Sequence, residues 1–189
     1  EIRMQTGEPY LLFTDTVNNA MPAHQRKLGL SVKQSNLCSE IVLPTGTDHL
    51  GNERTAVCCL SSLNAEKFLE WKQDPQFMED IFRFLDNVLE DFIQRAPDEM
   101  ARAVYAAQRE RSVGLGLMGF HSFLQSMNAP LESAAAKAWN VAMFKHIRKG
   151  ADAASVKLAK ERGACPDAAE NGVMARFSHK LAIAPTASI

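Results

Sequence analysis

Apolar residues recur along this chain at two different periods. Phe77, Ile81, Leu85, Val88 and Phe92 stand three and four apart, joined by Phe82, Leu89 and Ile93, while Glu79, Asp80, Asp86, Glu90 and Asp91 fill much of the remainder. That spacing predicts an amphipathic helix with an apolar stripe and a wet face. A second helical pattern starts at Ser133, an N-cap after Pro130, and runs to Arg162, where Gly163 and Pro166 are stop signals and Gly150 is a candidate break. Shorter runs rich in Leu, Val and Ile lie at Tyr10 to Phe13, Leu37 to Leu43, Thr55 to Leu60, Ser112 to Leu117 and Leu181 to Ala184. Bounded by Pro, Gly or Asn and too short for helices, they predict strands. Strands separated by helices predict an α/β protein. With no internal repeat or low-complexity tract, residues 1–189 read as a single unit.

Composition narrows the function classes. The 189 residues carry 21 Lys+Arg against 22 Asp+Glu, a formal net charge of -1, and 46% are hydrophobic. A balanced charge without a basic block offers nothing to phosphate backbones or anionic lipid, so neither nucleic acid nor membrane is an expected partner. No apolar run approaches the ~18 to 20 residues needed to span a bilayer, and Glu1-Ile2-Arg3-Met4-Gln5 has no signal-peptide stretch. A cytoplasmic setting with reduced thiols is expected. The chain starts at Glu1 and stops at Ile189 directly after an apolar run, and it reads as part of something longer.

Candidate chemistry concentrates in Ser35-Asn36-Leu37-Cys38-Ser39-Glu40-Ile41-Val42-Leu43-Pro44. In an extended backbone, period-two alternation puts the Asn36 amide, the Cys38 thiol and the Glu40 carboxylate on one face. A carboxamide that holds a hydroxyl, a sulfur that reacts and a carboxylate that accepts a proton then share one space. The alternative is an ordinary strand end with a buried Cys38 and an exposed Glu40. The four cysteines are Cys38, Cys58, Cys59 and Cys165. Without a secretory segment they predict no disulfide framework, and without a C-x₂-C pair they predict no zinc site. Cys58 and Cys59 are adjacent, so on a strand one faces a site while the other packs as a small hydrophobe. Cys165, beside Pro166, reads as structural or incidental.

Three other features invite chemistry. Arg111 to Gly119 contains a literal G-x-G-x-x-G, but a long helical pattern precedes it and Pro130 follows, so close packing of a strand against a helix is the favoured reading over a dinucleotide turn. Ile183-Ala184-Pro185-Thr186-Ala187-Ser188-Ile189 turns from apolar to Pro-Thr-x-Ser, which suits either a phosphate cradle at a helix start or plain N-capping. His24, His49, His121, His146 and His179 show no metal-ligand spacing and read as structural or solvated. The pairs Glu79-Asp80 and Glu90-Asp91 belong to a helix's wet face more simply than to a glycosidase dyad.

Taken together, Ser35 to Ile41, Ala56 to Ser62 and Ala184 to Ile189 resemble, in order and spacing, the catalytic large subunit of class I ribonucleotide reductase. Gly7-Glu8-Pro9-Tyr10 and Arg111 to Gly119 look like that family too. The resemblance implies a ten-stranded α/β barrel in which a central finger loop carries the active cysteine. It implies that Cys38 becomes a thiyl radical and removes the 3′ hydrogen of a ribonucleotide, that Glu40 takes the 3′-hydroxyl proton, and that Asn36 holds the sugar hydroxyls. Cys58 matches one member of the redox pair that drives loss of the 2′-hydroxyl as water, and Pro185, Thr186, Ala187, Ser188 and Ile189 match the segment that receives the substrate phosphates. Ribonucleoside diphosphates, a small (beta) subunit whose metal cofactor supplies the radical, and thioredoxin or glutaredoxin follow as partners. A homodimer of the full-length subunit and no cofactor or metal on this segment itself are also implied.

There are departures. In the family the partner of Cys58 lies upstream, yet no cysteine precedes Cys38, and Tyr10 and Tyr105 match neither tyrosine of the family's radical route. Nothing resembles the family's ATP-binding region or its specificity-effector loops. The chain is therefore expected to hold part of an active site and to be inactive alone. Competing expectations are the cobalamin-dependent class of the same family, using adenosylcobalamin, and a non-catalytic α/β nucleotide-binding module whose end merely caps a helix. A redox sensor is a third, for which a low thiol pKa at Cys58 or Cys59 is the sign.

Overall fold

A computed structural model describes residues 1–187 and 189, and Ser188 lies outside the described residues. In chain order the elements are α1 (Ile2–Thr6), α2 (Thr14–Ala20), α3 (Ala23–Lys27), β1 (Gly46–Thr47), β2 (Glu53–Arg54) and β3 (Cys59–Asn64). A 3₁₀ turn, Ala65–Lys67, leads into α4 (Phe68–Trp71), α5 (Phe77–Arg95) and, after a second 3₁₀ turn, α6 (Ala101–Glu110). The chain continues with β4 (Val113–Met118), α7 (Phe120–Ser126), α8 (Ala134–Arg162) and α9 (Pro166–Ala169).

The sequence pattern is well met in the helices. Ser133 caps α8 by accepting the Ala136 N–H at 3.1 Å, and Gly163, at φ 91°, ends it. Gly150 does not break α8: a Cβ there would lie 2.8 Å from Met78 Cβ, so the glycine is a notch that lets α5 approach α8. On α5 the fully buried line is Met78, Phe82, Leu85 and Leu89, flanked by Phe77, Ile81, Phe92 and Ile93. Val88 is exposed, so the core-facing stripe is rotated away from one of its expected members. Asp86, expected on the wet face, is fully buried for the same reason.

The strands depart further from expectation. β4 matches the run at Ser112 to Leu117, but β3 begins only at Cys59, near the end of the run at Thr55 to Leu60. Tyr10 to Phe13 and Leu37 to Leu43 form no strand, and Leu181 makes a single parallel bridge to Leu115. A short apolar run becomes a strand only where a neighbouring edge satisfies its backbone N–H and C=O groups. Leu11, Phe13 and Leu37 are exposed and face no such edge.

β3 and β4 are parallel, in register from Cys59 opposite Val113 to Asn64 opposite Met118, with α4, α5 and α6 in the connection. On the other side of β4, Val113 and Leu115 donate to the His179 and Lys180 carbonyls, and Ala182 donates back to Leu115. Three parallel stretches therefore lie side by side, which confirms an α/β architecture. β1 and β2 form a separate antiparallel pair. Among the described residues there are thus four strands in two small sheets.

The main core lies between the parallel stretches and helices α5 and α8, around Phe82, Leu85, Leu89, Leu115, Phe123, Met143, Ile147, Leu158 and Phe177. Each such side chain contributes about 2 kcal/mol by leaving water. A small second cluster of Met21, Leu30 and Val32 fastens the N-terminal helices beneath Val42.

Gly114 and Gly116 explain the G-x-G. A Cβ on Gly114 would lie 2.4 Å from Leu60 Cδ2, 2.9 Å from Ala182 Cβ and 3.0 Å from Cys58 Sγ, and one on Gly116 would lie 2.5 Å from the Ala182 carbonyl oxygen. The glycines thus allow close approach, as expected, but of neighbouring strand segments instead of a helix.

Candidate active site

The segment from Ser35 to Ile41 is a turn, which corrects the expected extended strand. The Ser39 N–H donates to the Asn36 carbonyl at 3.1 Å, and Ser39 itself sits at φ 66°. The Asn36 side chain organises this turn, because its Oδ1 accepts the Ile41 N–H at 3.0 Å and its Nδ2 donates to Glu40 Oε2 at 2.7 Å. The amide and the carboxylate therefore meet through the turn and not through period-two alternation. Cys38 occupies the tip and is exposed. It lines a hollow of about 790 Å³ with Arg3, Glu8, Tyr10, Leu11 and Pro185. Asn36 lines a different cavity, of about 260 Å³, with Ser35, Ile41, Arg54, Thr55 and Ala56.

Cys58 lies one residue before β3, and its thiol fits the space left by Gly114. Burial pushes that thiol up to about 12, and the nearby Cys59, Glu110 and Glu40 groups push in the same direction. The cavity that Asn36 shares with Arg54, Thr55 and Ala56 sets the turn against the segment that leads into Cys58 and β3. Cys59, on the opposite side of the chain, packs against the main core. This is the division expected of two adjacent residues, and burial raises the Cys59 thiol as well. A redox-sensing thiol needs a lowered pKa, so neither cysteine suits that task.

Close packing of Ala182 on Gly114 and Gly116 carries the chain on to Pro185, which reaches the Cys38 hollow. Thr186 sits at φ 50°, and the Ile189 N–H donates to its carbonyl at 3.2 Å. Among the described residues Pro185, Thr186, Ala187 and Ile189 are not helical. Ala187 lies in a turn, and the expectation for Ser188 falls outside the described residues.

Other polar groups are built into the frame. Asp86 receives Arg111 at 2.8 Å, Arg162 at 2.8 Å and Arg176 at 3.0 Å. Burial opposes its ionisation, but these guanidinium groups overcome that and lower its pKa. Arg54 is held by Asp48 and Asp167. Glu110 is completely buried, with Oε2 accepting from Gln25 at 2.9 Å, and Gln25 Oε1 pairs with His179 Nε2 at 2.8 Å. None of these groupings is legible in residue spacing, since each joins elements far apart in the chain. Cys165 is buried beside the Ser178 hydroxyl, as a structural cysteine. Among the described residues no three His, Cys, Asp or Glu side chains form a metal-binding group, and no helix is long and apolar enough to cross a membrane.

Comparison with known proteins defines the class. The family model "Ribonucleotide reductase, barrel domain" matches residues 1–180. The chain belongs to this family and is a homologue of class I large (alpha) subunits. It is 47% identical over 186 residues to the ribonucleoside-diphosphate reductase large subunit of Invertebrate iridescent virus 3, covering 98% of this chain and 28% of that protein. A vitamin B12-dependent ribonucleoside-diphosphate reductase of Mycobacterium tuberculosis (strain CDC 1551 / Oshkosh) is 32% identical over 162 residues, covering 85% of this chain and 22% of that protein. Among solved structures, the Actinobacillus ureae class Id ribonucleotide reductase alpha subunit superposes with a TM-score of 0.88 at 36% identity, over 98% of this chain and 35% of that one. The chain thus spans about a third or less of the length of these relatives.

Proposed function

We propose that the chain is the part of a ribonucleoside-diphosphate reductase that holds the reacting cysteine and reduces ribonucleotides to 2′-deoxyribonucleotides. The observation that carries this reading is the convergence of three distant pieces of sequence. Cys38 shares a hollow with Pro185, Asn36 shares a cavity with Arg54, Thr55 and Ala56 just before Cys58, and Gly114 lets Cys58 and Ala182 pack together.

In this mechanism a thiyl radical at Cys38 takes the 3′ hydrogen of the ribose. Glu40, oriented by its 2.7 Å hydrogen bond from Asn36, accepts the 3′-hydroxyl proton, and the Asn36 amide also holds sugar hydroxyls without adding charge. Cys58 is one member of the cysteine pair whose oxidation to a disulfide supplies the two electrons that accompany loss of the 2′-hydroxyl as water. A thiol held at about 12 keeps its proton at neutral pH, so Cys58 enters this step as a hydrogen donor and not as a free thiolate. Pro185, Thr186, Ala187, Ser188 and Ile189 receive the substrate phosphates, and of these Pro185 lines the Cys38 hollow.

The parallel stretches are, in this reading, part of a ten-stranded barrel whose other strands close over the Cys38 turn and keep a carbon-centred radical from water. A small subunit with its own metal cofactor supplies the radical, thioredoxin or glutaredoxin restores the dithiol, and the complete subunit works as a homodimer in a reducing, cytoplasmic setting. The higher identity to the viral large subunit than to the B12-dependent enzyme favours this over adenosylcobalamin.

The test is Cys38→Ser in the complete subunit assayed with its radical source. Turnover should fall by at least about 10³-fold, as for removal of a group on which every step depends. Deoxynucleotide formation at the wild-type rate overturns the proposal.

A further inference from the structure

Arg54 is 3% exposed, and all three of its guanidinium nitrogens are used. Nε donates to Asp48 Oδ2 at 2.9 Å, Nη1 to Asp167 Oδ2 at 2.7 Å and Nη2 to Asp167 Oδ1 at 2.9 Å. The acids are fixed in turn. Asp48 accepts the Leu50 N–H at 2.9 Å, the Asn52 N–H at 3.0 Å and the Tyr105 hydroxyl at 2.8 Å. Asp167, on α9, also accepts Arg109 Nε at 3.0 Å. The guanidinium is a planar fork, so a bidentate pair with a second carboxylate at Nε sets its direction as well as its distance.

The location of this clamp matters. Arg54 ends β2 and lies just upstream of Cys58 in the same passage of chain. Arg54 is also among the residues that line the 260 Å³ cavity, together with Asn36, Ser35 and Ile41. One buried residue therefore belongs to the segment that delivers Cys58 and borders the turn that holds Asn36 and Glu40. A buried ionic group is a weak route to stability, because apolar side chains of similar volume serve that end as well. Geometric definition is what it adds.

We infer that the Asp48–Arg54–Asp167 clamp is a positioning device, with Arg54 the positioning residue that sets the separation between the Asn36–Glu40 turn and Cys58. This rests on the reading of Asn36, Glu40 and Cys58 as reacting groups. Arg54 touches no substrate and acts through the two segments it joins. A displacement of about 1 Å in such groups costs as much as 10²-fold in rate.

The experiment uses Arg54→Lys in the complete subunit with its radical source, well below its unfolding temperature. Lysine keeps the charge but cannot span both carboxylates. Expected are a fall in kcat of about 10- to 100-fold per folded molecule, with KM nearly unchanged, and faster alkylation of Cys58 by iodoacetamide relative to Cys165. A folded variant with wild-type kcat and wild-type Cys58 alkylation overturns the inference and leaves the clamp a purely structural pair. If the lysine variant does not fold, Tyr105→Phe, which removes one hydrogen bond from Asp48 and spares the ion pairs, should change the same two readouts in the same directions; no change overturns the inference. A wild-type subunit that makes no deoxynucleotide refutes the proposed function alone, and Cys58 alkylation then decides the clamp.

Discussion

Cys58 and Cys59 are neighbours in the chain and opposites in environment. Cys59 packs on the core, whereas Cys58 shares its surroundings with Gly114, Glu40 and Glu110. Burial, reinforced by nearby acids, holds the Cys58 thiol at about 12, so at pH 8 the thiolate fraction is on the order of 10⁻⁴. Cys38 is exposed at the tip of its turn. Iodoacetamide should therefore modify Cys38 well before Cys58, and the Cys58 rate should rise about tenfold per pH unit towards 12. Peptide mass spectrometry over a pH series checks both, and early modification of Cys58 at neutral pH contradicts the burial account. The opposite orientation of the two cysteines was legible in the sequence, because adjacency on a strand dictates it. The high thiol pKa was not, because it comes first from burial, which the packing of segments distant in the chain creates.

At the scale of elements, α5 and α8 show local and tertiary preferences in competition. Gly150 lies inside α8, where alanine is intrinsically better by about 1 kcal/mol. Yet its Cβ would come within 2.7 Å of Met78 Cγ and 2.8 Å of Met78 Cβ. Overpacking typically costs about 1 to 3 kcal/mol, so packing wins. Gly150→Ala should lower stability by about 1 kcal/mol despite its better helix propensity. Thermal unfolding measures this, and a stabilised variant means that α5 shifts freely against α8. The helix ends were legible because Ser133 and Gly163 act within one turn of themselves. Gly150 was misleading because its partner belongs to another helix.

Across the whole molecule, buried charges join what the chain separates. Burial pushes the Glu110 carboxyl up to about 7 and the His179 imidazole down to about 4, and Gln25 bridges the two. As pH rises from 4.5 to 7 the unfolded chain releases the Glu110 proton while the folded chain keeps it, so stability falls. As pH rises from 4 to 6.5 the unfolded chain still holds the His179 proton that the folded chain gives up near pH 4, so stability grows. The two slopes oppose each other. Glu110→Gln should remove the first, leaving stability that climbs from pH 4 to 6.5 and a gain on the order of 3 kcal/mol at pH 7. Unfolding midpoints of wild type and variant across this range test it, and parallel pH profiles refute the assignment to Glu110. Below pH 4 a further loss is expected. Burial alone would raise Asp48, but hydrogen bonds from Asn52, Tyr105, Arg54 and Leu50 hold it at about 2, so its contribution disappears as pH falls from 3.8 to 2. By itself the sequence determined the α/β class, the two long helices, the caps of α8, and the family, because periodicity, capping and ordered motifs all act within short stretches of chain. Only the tertiary structure decided that Ser35 to Ile41 is a turn, that the glycines of Arg111 to Gly119 admit Ala182, and that Arg54 meets Asp167. The last two depend on which surfaces and charges the fold brings together, and residues many tens of positions apart carry no local sign of one another, while the turn is held by Asn36 side-chain bonds that an alternating pattern does not reveal.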